Sequence, residues 1–186
     1  MNTLETTTTP LLDIKKEGLK FGGILSAIAL LIMFGSWAAG INSFSTVTMV
    51  TTFVPYMIIL LLVGGFDVRK RNGGYLTFKE AIQYSFLAYV VVAVVVALAT
   101  YILYNFIDPE LTQKSFEQGM NFTRSFMEKM GASEADIEKA MADAEAKKES
   151  NTSIGTILMG TGLGLIWDFV KALLISLVIR KEKPLM

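Results

Sequence analysis

Two charged residues, Asp168 and Lys171, interrupt an otherwise apolar segment and are the strongest candidates for a chemical role. They precede the basic residue Arg180 by twelve and nine positions. A helix rises 1.5 Å per residue, which places Asp168 ~18 Å from that end of the segment. If the segment crosses a membrane, each charge costs ~2.5–3.5 kcal/mol to insert near the centre. A spacing of three residues with the acid first favours an ion pair, which lowers this cost.

The neighbouring Trp167 offers an indole N–H donor, so Trp167, Asp168 and Lys171 form a candidate intramembrane polar site. In a structural interpretation, the ion pair fixes the register of its helix against other helices. In a functional interpretation, it serves an ion, a proton or a polar ligand. We favour the structural interpretation, because a transport path needs polar lining from several helices and residues 21–66 contain no charged residue.

The chain has no cysteine and no histidine, which excludes thiolate nucleophiles, cysteine–histidine zinc sites and the Ser-His-Asp triad. Isolated carboxylates without a recognisable pocket are weak evidence for catalysis. We therefore expect no enzyme, no catalytic residue, no cofactor and no metal site. The 17 basic and 17 acidic residues balance to a formal charge of zero, so no concentrated basic face is expected to bind nucleic acid.

The elements that would position these residues are apolar helices, since 52% of the 186 residues are hydrophobic. No charged residue occurs in residues 21–66, a run too long for one crossing and divided by small polar residues near Asn42. A later apolar run follows Thr77 and Glu80, which have the spacing of a helix capping box. We predict an all-α membrane protein with four transmembrane helices, at residues 21–40, 47–66 with a kink at Pro55, 81–107 and 154–179.

Basic residues lie beside alternate ends of these helices, in the N-terminal tail 1–20, the loop 67–79 and the C-terminal tail 180–186. The connection between the first two helices has none. The positive-inside rule therefore places both termini and loop 67–79 in the cytoplasm. A cleaved signal peptide is the alternative interpretation of the first segment, but its loss would leave three crossings and break the charge pattern.

Segment 108–153, between the third and fourth helices, carries ten acidic and six basic residues, so we expect it outside the cytoplasm. Asp108 with Pro109 is typical of a helix start, and Gly131 followed by Ser133 predicts a turn into a second helix. The segment is thus predicted to form an extracytoplasmic helical hairpin. Its first arm has apolar residues at helical spacing, a candidate partner surface made of Phe116, Met120, Met127 and Met130.

Two apolar features leave alternatives open. The Phe and Met surface fits packing between the two arms or onto lipid, which we favour, and also fits a protein partner, because methionine-rich surfaces adapt to many ligands. In the fourth helix, Gly160 and Gly164 form a small-xxx-small pair that lets another helix approach closely. We expect this pair to pack within the chain, and a homo-oligomer interface is the alternative.

Three short motifs resemble a known family: DVRK at 67–70, NGGYLTFKEA at 72–81 and IDPEL at 107–111. They resemble the bacterial multi-pass membrane family named domain of unknown function 4199, over nearly the whole chain. The resemblance implies a protein of the bacterial inner membrane, and it supplies no activity, substrate or catalytic residue.

The working hypothesis is a non-enzymatic scaffold or envelope-interaction module. Its partners would be the lipid bilayer and a protein bound by the hairpin. The alternative hypothesis is a small transporter or channel subunit that uses a buried pair of Asp168 and Lys171.

Overall fold

A computed structural model describes residues 12–53, 55–146 and 153–183. Parts of the predicted tails and hairpin, at 1–11, 147–152 and 184–186, lie outside these ranges. Within these residues every element of regular secondary structure longer than a single bridge is a helix, which confirms the all-α prediction. The helices in chain order are α1 (Ile14–Ala38), α2 (Ile41–Phe53), α3 (Tyr56–Arg71), α4 (Phe78–Ile102), the contiguous π-helical turn (Leu103–Ile107), α5 (Glu110–Lys129), α6 (Glu134–Ala146) and α7 (Ile154–Ile179).

Among the described helices, α1, α4 with its π-helical turn, and α7 are long and apolar enough to cross a membrane. Helices α2 and α3 add a fourth candidate if they count as one broken span. The break falls at Pro55, where the sequence predicts a kink. Proline lacks an amide hydrogen and its ring clashes with the preceding turn, so the helix ends there and α3 starts anew at Tyr56.

Helix α1 begins earlier than the predicted start at Phe21, because the charged flank is itself helical. Asp13 precedes the first turn, and its carboxylate accepts a hydrogen bond of 3.2 Å from the Lys16 N–H. The side chain therefore satisfies one of the amides that lack a partner within the helix. The start at Ile14 adds two turns that carry polar contacts outside the apolar segment.

Large hydrophobic side chains cover the outer surfaces of the apolar helices. Leu31 of α1 is 75% exposed, Val63 of α3 is 65% exposed and Leu163 of α7 is 64% exposed. Water-soluble proteins rarely leave contiguous apolar surface of this kind uncovered. Lipid tails solvate such surface, provided that the backbone polar groups are paired within helices. The outward apolar side chains therefore indicate a membrane environment.

The described residues fall into two compact units, and α1, α4 and α7 each contribute to both. Among the described residues, the first unit comprises 12–25, 55–92 and 166–183. The second comprises 26–53, 93–146 and 153–165.

In the first unit, two glycines of α1 allow its backbone to approach α4. A Cβ atom on Gly18 would lie 2.9 Å from the carbonyl oxygen of Tyr84, and one on Gly22 would lie 2.7 Å from the Cβ of Val91. The two glycines are four residues apart and so share one helical face. They form the kind of small-residue contact that brings membrane helices together.

Glycines of α3 make similar close contacts in this unit. A Cβ on Gly64 would overlap the Phe21 ring and the Tyr84 hydroxyl, and one on Gly65 would lie 2.6 Å from the Cδ1 of Ile179. Helix α3 therefore packs closely against α1, α4 and α7. The Tyr84 hydroxyl is also within 3.4 Å of the carbonyl oxygen of Leu61, to which it donates.

Polar contacts join the ends of the helices in the first unit. Arg71 pairs with Glu17 of α1 at 2.6 Å and with Asp67 of its own helix at 2.8 Å. The loop after α3 pairs with the C-terminal tail, because Leu76 and Lys181 exchange backbone hydrogen bonds of 2.9 and 2.7 Å. The start of α1, the end of α3 with the loop that follows it, and the segment after α7 are thus held beside one another.

The predicted capping box at the start of α4 is confirmed. The Thr77 N–H donates to a carboxylate oxygen of Glu80 at 2.8 Å, and the Glu80 N–H donates to the Thr77 hydroxyl at 3.3 Å. These reciprocal bonds satisfy two amides that would otherwise lack a partner at the helix start.

In the second unit, the buried residues Phe44, Leu103 and Leu111 form one cluster. They come from α2, the π-helical turn and α5. Partly buried side chains surround this cluster, namely Met33, Phe34, Trp37, Ile41 and Tyr104. The start of α5 is therefore anchored to the ends of the apolar helices.

We predict that Gly22→Ala lowers the thermal stability of the purified protein, whereas Gly23→Ala does not. The added methyl at position 22 would meet Val91 and the Ala88 carbonyl, while no described atom lies within 4 Å of a Cβ at position 23. Overpacking of this kind costs about 1–3 kcal/mol. The helix propensity gain of about 1 kcal/mol applies to both variants. Melting followed by circular dichroism in detergent compares them, and equal melting temperatures would contradict the proposed close approach.

Candidate functional site

Asp168 and Lys171 form the predicted ion pair on α7. The Lys171 Nζ lies 2.5 Å from the Asp168 Oδ1. The same ammonium lies 5.0 Å from the centre of the Tyr89 ring of α4, a distance at which a cation is attracted by the ring face. Nearby, Phe169 packs edge-on against Phe86 with ring centres 5.2 Å apart. The pair is therefore part of the contact between α7 and α4 in the first unit.

The prediction of a buried pair is wrong. The Asp168 side chain is 19% exposed and the Lys171 side chain is 33% exposed. They lie at the edge of the packed face of α7, and the buried residues of that face are Ala172, Ile175, Ser176 and Ile179. A self-neutralising pair at the edge of a helix contact can orient α7 against α4 without enclosing a site.

Trp167 does not join the pair. Its side chain is 69% exposed, and successive residues of a helix point about 100° apart. The indole of Trp167 thus faces outward from α7 while Asp168 faces the edge of the packed surface. Of the three residues in the predicted polar site, the structure brings together two.

Helices α5 and α6 are joined by the predicted tight turn. Gly131 has a positive φ of 77°, which favours glycine at the end of a helix. Ser133 caps α6, since its hydroxyl accepts a 3.2 Å hydrogen bond from the Asp136 N–H. Arg124 of α5 pairs across the turn with Glu134 at 2.6 Å. Local sequence signals therefore predicted this turn correctly.

Arg124 also accounts for the electrostatics of this turn. Its hydrogen bond to Glu128 raises the pKa of the guanidinium above the ordinary value, and the charge of Glu134 raises it further. The Arg124 side chain therefore stays positively charged, and its contacts with the two acids are charge-assisted.

The face of α5 toward α6 contains a cleft of about 320 Å³. Of the four predicted surface residues, Phe116 and Met120 line it, Met127 is partly exposed, and Met130 is 72% exposed outside it. The remaining lining residues are polar or acidic, namely Gln113, Glu117, Asn121 and Glu145. The cleft thus combines apolar side chains with two carboxylates, a combination that suits a partner side chain with an apolar stem and a cationic head.

Asp108 has a second role that the sequence did not reveal. Its Oδ1 accepts a hydrogen bond of 3.2 Å from the Leu111 N–H, as expected of a helix cap, and its Oδ2 accepts one of 3.0 Å from the Trp37 indole. One carboxylate therefore starts α5 and holds it to the end of α1. The sequence does show a tryptophan near the end of one apolar helix and an acid just after another. Because they are 71 positions apart, no short-range sequence pattern predicts their contact.

Gly160 and Gly164 do not pack within the described chain. No described atom lies within 4 Å of a Cβ built on either glycine. The expectation of packing within the chain is therefore wrong for the described residues, because the glycine contacts between helices occur on α1 and α3 instead. The alternative, an interface with a second copy, stays a prediction.

The residues at 12–53, 55–146 and 153–183 contain no group of three acidic side chains that could hold a metal ion. The arrangement that they do form is that of a multi-pass membrane protein, with apolar helices of spanning length and polar contacts at helix ends. The model of a family described as Protein of unknown function (DUF4199) matches residues 16–181. The chain belongs to this family, which confirms the resemblance. No curated protein and no solved structure matches the chain.

We predict that the effects of Asp168→Asn and Lys171→Met on stability are not additive. Either single change leaves one charge in apolar surroundings without its partner, which costs more than removing both charges. The double variant should therefore be more stable than the sum of the single effects indicates, by on the order of 0.5–3 kcal/mol. Unfolding of all four proteins in the same detergent gives this coupling, and additive effects would show that the ion pair contributes nothing.

Proposed function

We propose that the chain is a non-enzymatic scaffold of the bacterial inner membrane. It crosses the membrane four times, with α2 and α3 together forming one crossing. Both termini lie in the cytoplasm, and the hairpin of α5 and α6 lies outside it. The hairpin binds a protein partner through the cleft between its helices.

The contacts at the helix ends support this topology. Glu17 with Arg71, and Leu76 with Lys181, join the N-terminal flank, the loop after α3 and the C-terminal tail. Segments in such contact lie on one side of a membrane, and all three are rich in basic residues. The positive-inside rule assigns that side to the cytoplasm. Helix α4 leads away from it, so α5 and α6 follow on the other side.

The cleft between α5 and α6 is the observation that carries the proposed binding role. Phe116 and Met120 are partly exposed on its wall, and methionine adapts its shape to different partners. Glu117 and Glu145 add negative charge. We infer that the partner inserts a lysine or arginine side chain, with the stem against the apolar wall and the charge near the acids.

We predict opposite labelling of two cysteine variants by a maleimide that does not cross membranes. The chain has no cysteine of its own, so Lys79→Cys and Ala142→Cys each report one exposed position. In intact cells, where the reagent reaches the outer face of the inner membrane, only Ala142→Cys should react. After permeabilisation both should react. The reverse pattern would refute the topology, and labelling of both in intact cells would refute four crossings.

We predict that a benzophenone amino acid at Met120 crosslinks to a discrete partner in cells. Replacing Glu117 and Glu145 by lysine should reduce the adduct several-fold, because the charge that attracts the partner is reversed. Asp143→Lys, which reverses an exposed charge on the side of α6 opposite Glu145, should leave the adduct intact. Quantitative immunoblotting measures the yield. Absence of an adduct, or equal yields in all variants, would count against the proposed cleft.

A further inference from the structure

Helix α5 has a second apolar surface, of which the sequence prediction included only Met130. Phe122 and Phe126 are each 54% exposed, and Met130 is 72% exposed. The two aromatic rings stack with their centres 6.3 Å apart. The three residues follow one another at intervals of four, so they form one stripe that runs along α5 to Met130, the residue that ends it. We refer to these three residues as the aromatic stripe.

The aromatic stripe continues the face of α5 that contacts the apolar helices. Leu111 on that face is 1% exposed in the cluster with Phe44, and the Gln118 side chain donates a 2.9 Å hydrogen bond to Asn42 of α2. Phe122 follows Leu111 by eleven residues, about three turns of 3.6 residues each. Beyond Gln118 the protein contact ends and the exposed aromatic stripe begins on the same side.

Two contacts fix the direction of α5 in the second unit. Asp108, just before α5, is bonded to Trp37 near the end of α1. Gln118 is bonded to Asn42 near the start of α2. Asp108 and Gln118 are ten residues apart, which is ~15 Å along a helix axis. Their partners, Trp37 and Asn42, lie on either side of the short α1–α2 connection. Helix α5 therefore runs along the ends of α1 and α2 over this distance instead of pointing away from them.

The opposite side of α5 has different chemistry. Glu117 and Met120 line the cleft toward α6, and Arg124 binds both Glu128 and Glu134. Charged residues thus concentrate on the side that faces α6. The side that faces the ends of the apolar helices carries the exposed Phe122 and Phe126 beyond the protein contact, and the exposed Lys129 follows them at the end of α5.

We propose that α5 is an interfacial helix, and that the aromatic stripe inserts into the lipid surface beside the helix bundle. A helix of this type lies in the membrane plane with its apolar face ~5–10 Å deep at the boundary of headgroups and acyl chains. Aromatic side chains are favoured at that depth. The occupant is lipid because the stripe lies on the side of α5 that meets the ends of membrane-crossing helices. This inference rests on the proposed membrane placement but not on a partner for the cleft.

The test uses the full chain in phosphatidylcholine vesicles, with one nitroxide on a single introduced cysteine. The three positions are Phe126→Cys on the stripe, Ala142→Cys on α6 as the aqueous control and Leu163→Cys on the exposed apolar face of α7 as the lipid control. Electron paramagnetic resonance then measures collision with oxygen, which concentrates in lipid, and with a water-soluble nickel complex. Phe122→Cys is a fourth position, also on the stripe, and it repeats the measurement in case Phe126→Cys folds poorly.

We expect the ratio of oxygen to nickel accessibility at positions 126 and 122 to exceed that at position 142 several-fold, and to approach that at position 163. A ratio at 126 and 122 equal to that at 142 would overturn the interfacial helix while leaving the membrane assignment intact. Shielding of the stripe from both reagents, with spin–spin broadening, would indicate a second copy of the chain and also overturn it. A low ratio at 163 would instead refute the membrane placement in the proposed function.

Discussion

The structure depends on close approach of helix backbones where hydrophobic burial contributes little to their association. Lipid tails are as apolar as leucine, so helices in a membrane are held by packing and by polar contacts. Gly18 and Gly22 on α1, and Gly64 and Gly65 on α3, leave no room for a side-chain carbon against their neighbours. These four glycines permit the first unit to pack, while the other faces of its helices keep exposed apolar side chains for lipid.

The polar contacts complement this packing at the ends of the helices. Arg71 forms a two-pronged contact with Glu17, at 2.9 and 2.6 Å, and Asp108 accepts from the Trp37 indole. Neither contact is local in sequence. Each contact joins two helices near their ends. A charged hydrogen bond there fixes which helices are neighbours, and it avoids the cost of an isolated charge in hydrocarbon.

Features fixed by neighbouring residues were predicted correctly, and features fixed by distant ones were not. The capping pairs at Thr77 and Ser133 depend on residues three positions away, so sequence reveals them. The sequence predicts a small-xxx-small contact at Gly160 and Gly164 of α7, but the pair that packs closely is Gly18 with Gly22 of α1. Gly18 lies in a charged flank assigned to a tail, which hid its role because the helix was expected to start only at Phe21.

The candidate surfaces on α5 show the same limit. Apolar residues lie on two of its faces, one containing Phe116 and Met120 and the other Phe122 and Phe126. Helical spacing is compatible with both stripes, but it does not say which face of α5 contacts α6 and which contacts the ends of the apolar helices. That distinction comes from Gln118 and its bond to Asn42, a contact across 76 positions of the chain.

The two faces of α5 suggest how a scaffold of this design would work. In the proposed arrangement, lipid contacts the aromatic stripe on one side, and the cleft with Met120 opens toward α6 on the other. The bond between Asp108 and Trp37 fixes the start of the helix to α1. A partner held in the cleft would therefore be kept at a set distance from the membrane surface, since a rigid helix separates the two contacts. Positioning of this kind requires no catalytic group. It requires only a helix that contacts lipid on one side and a protein partner on the other.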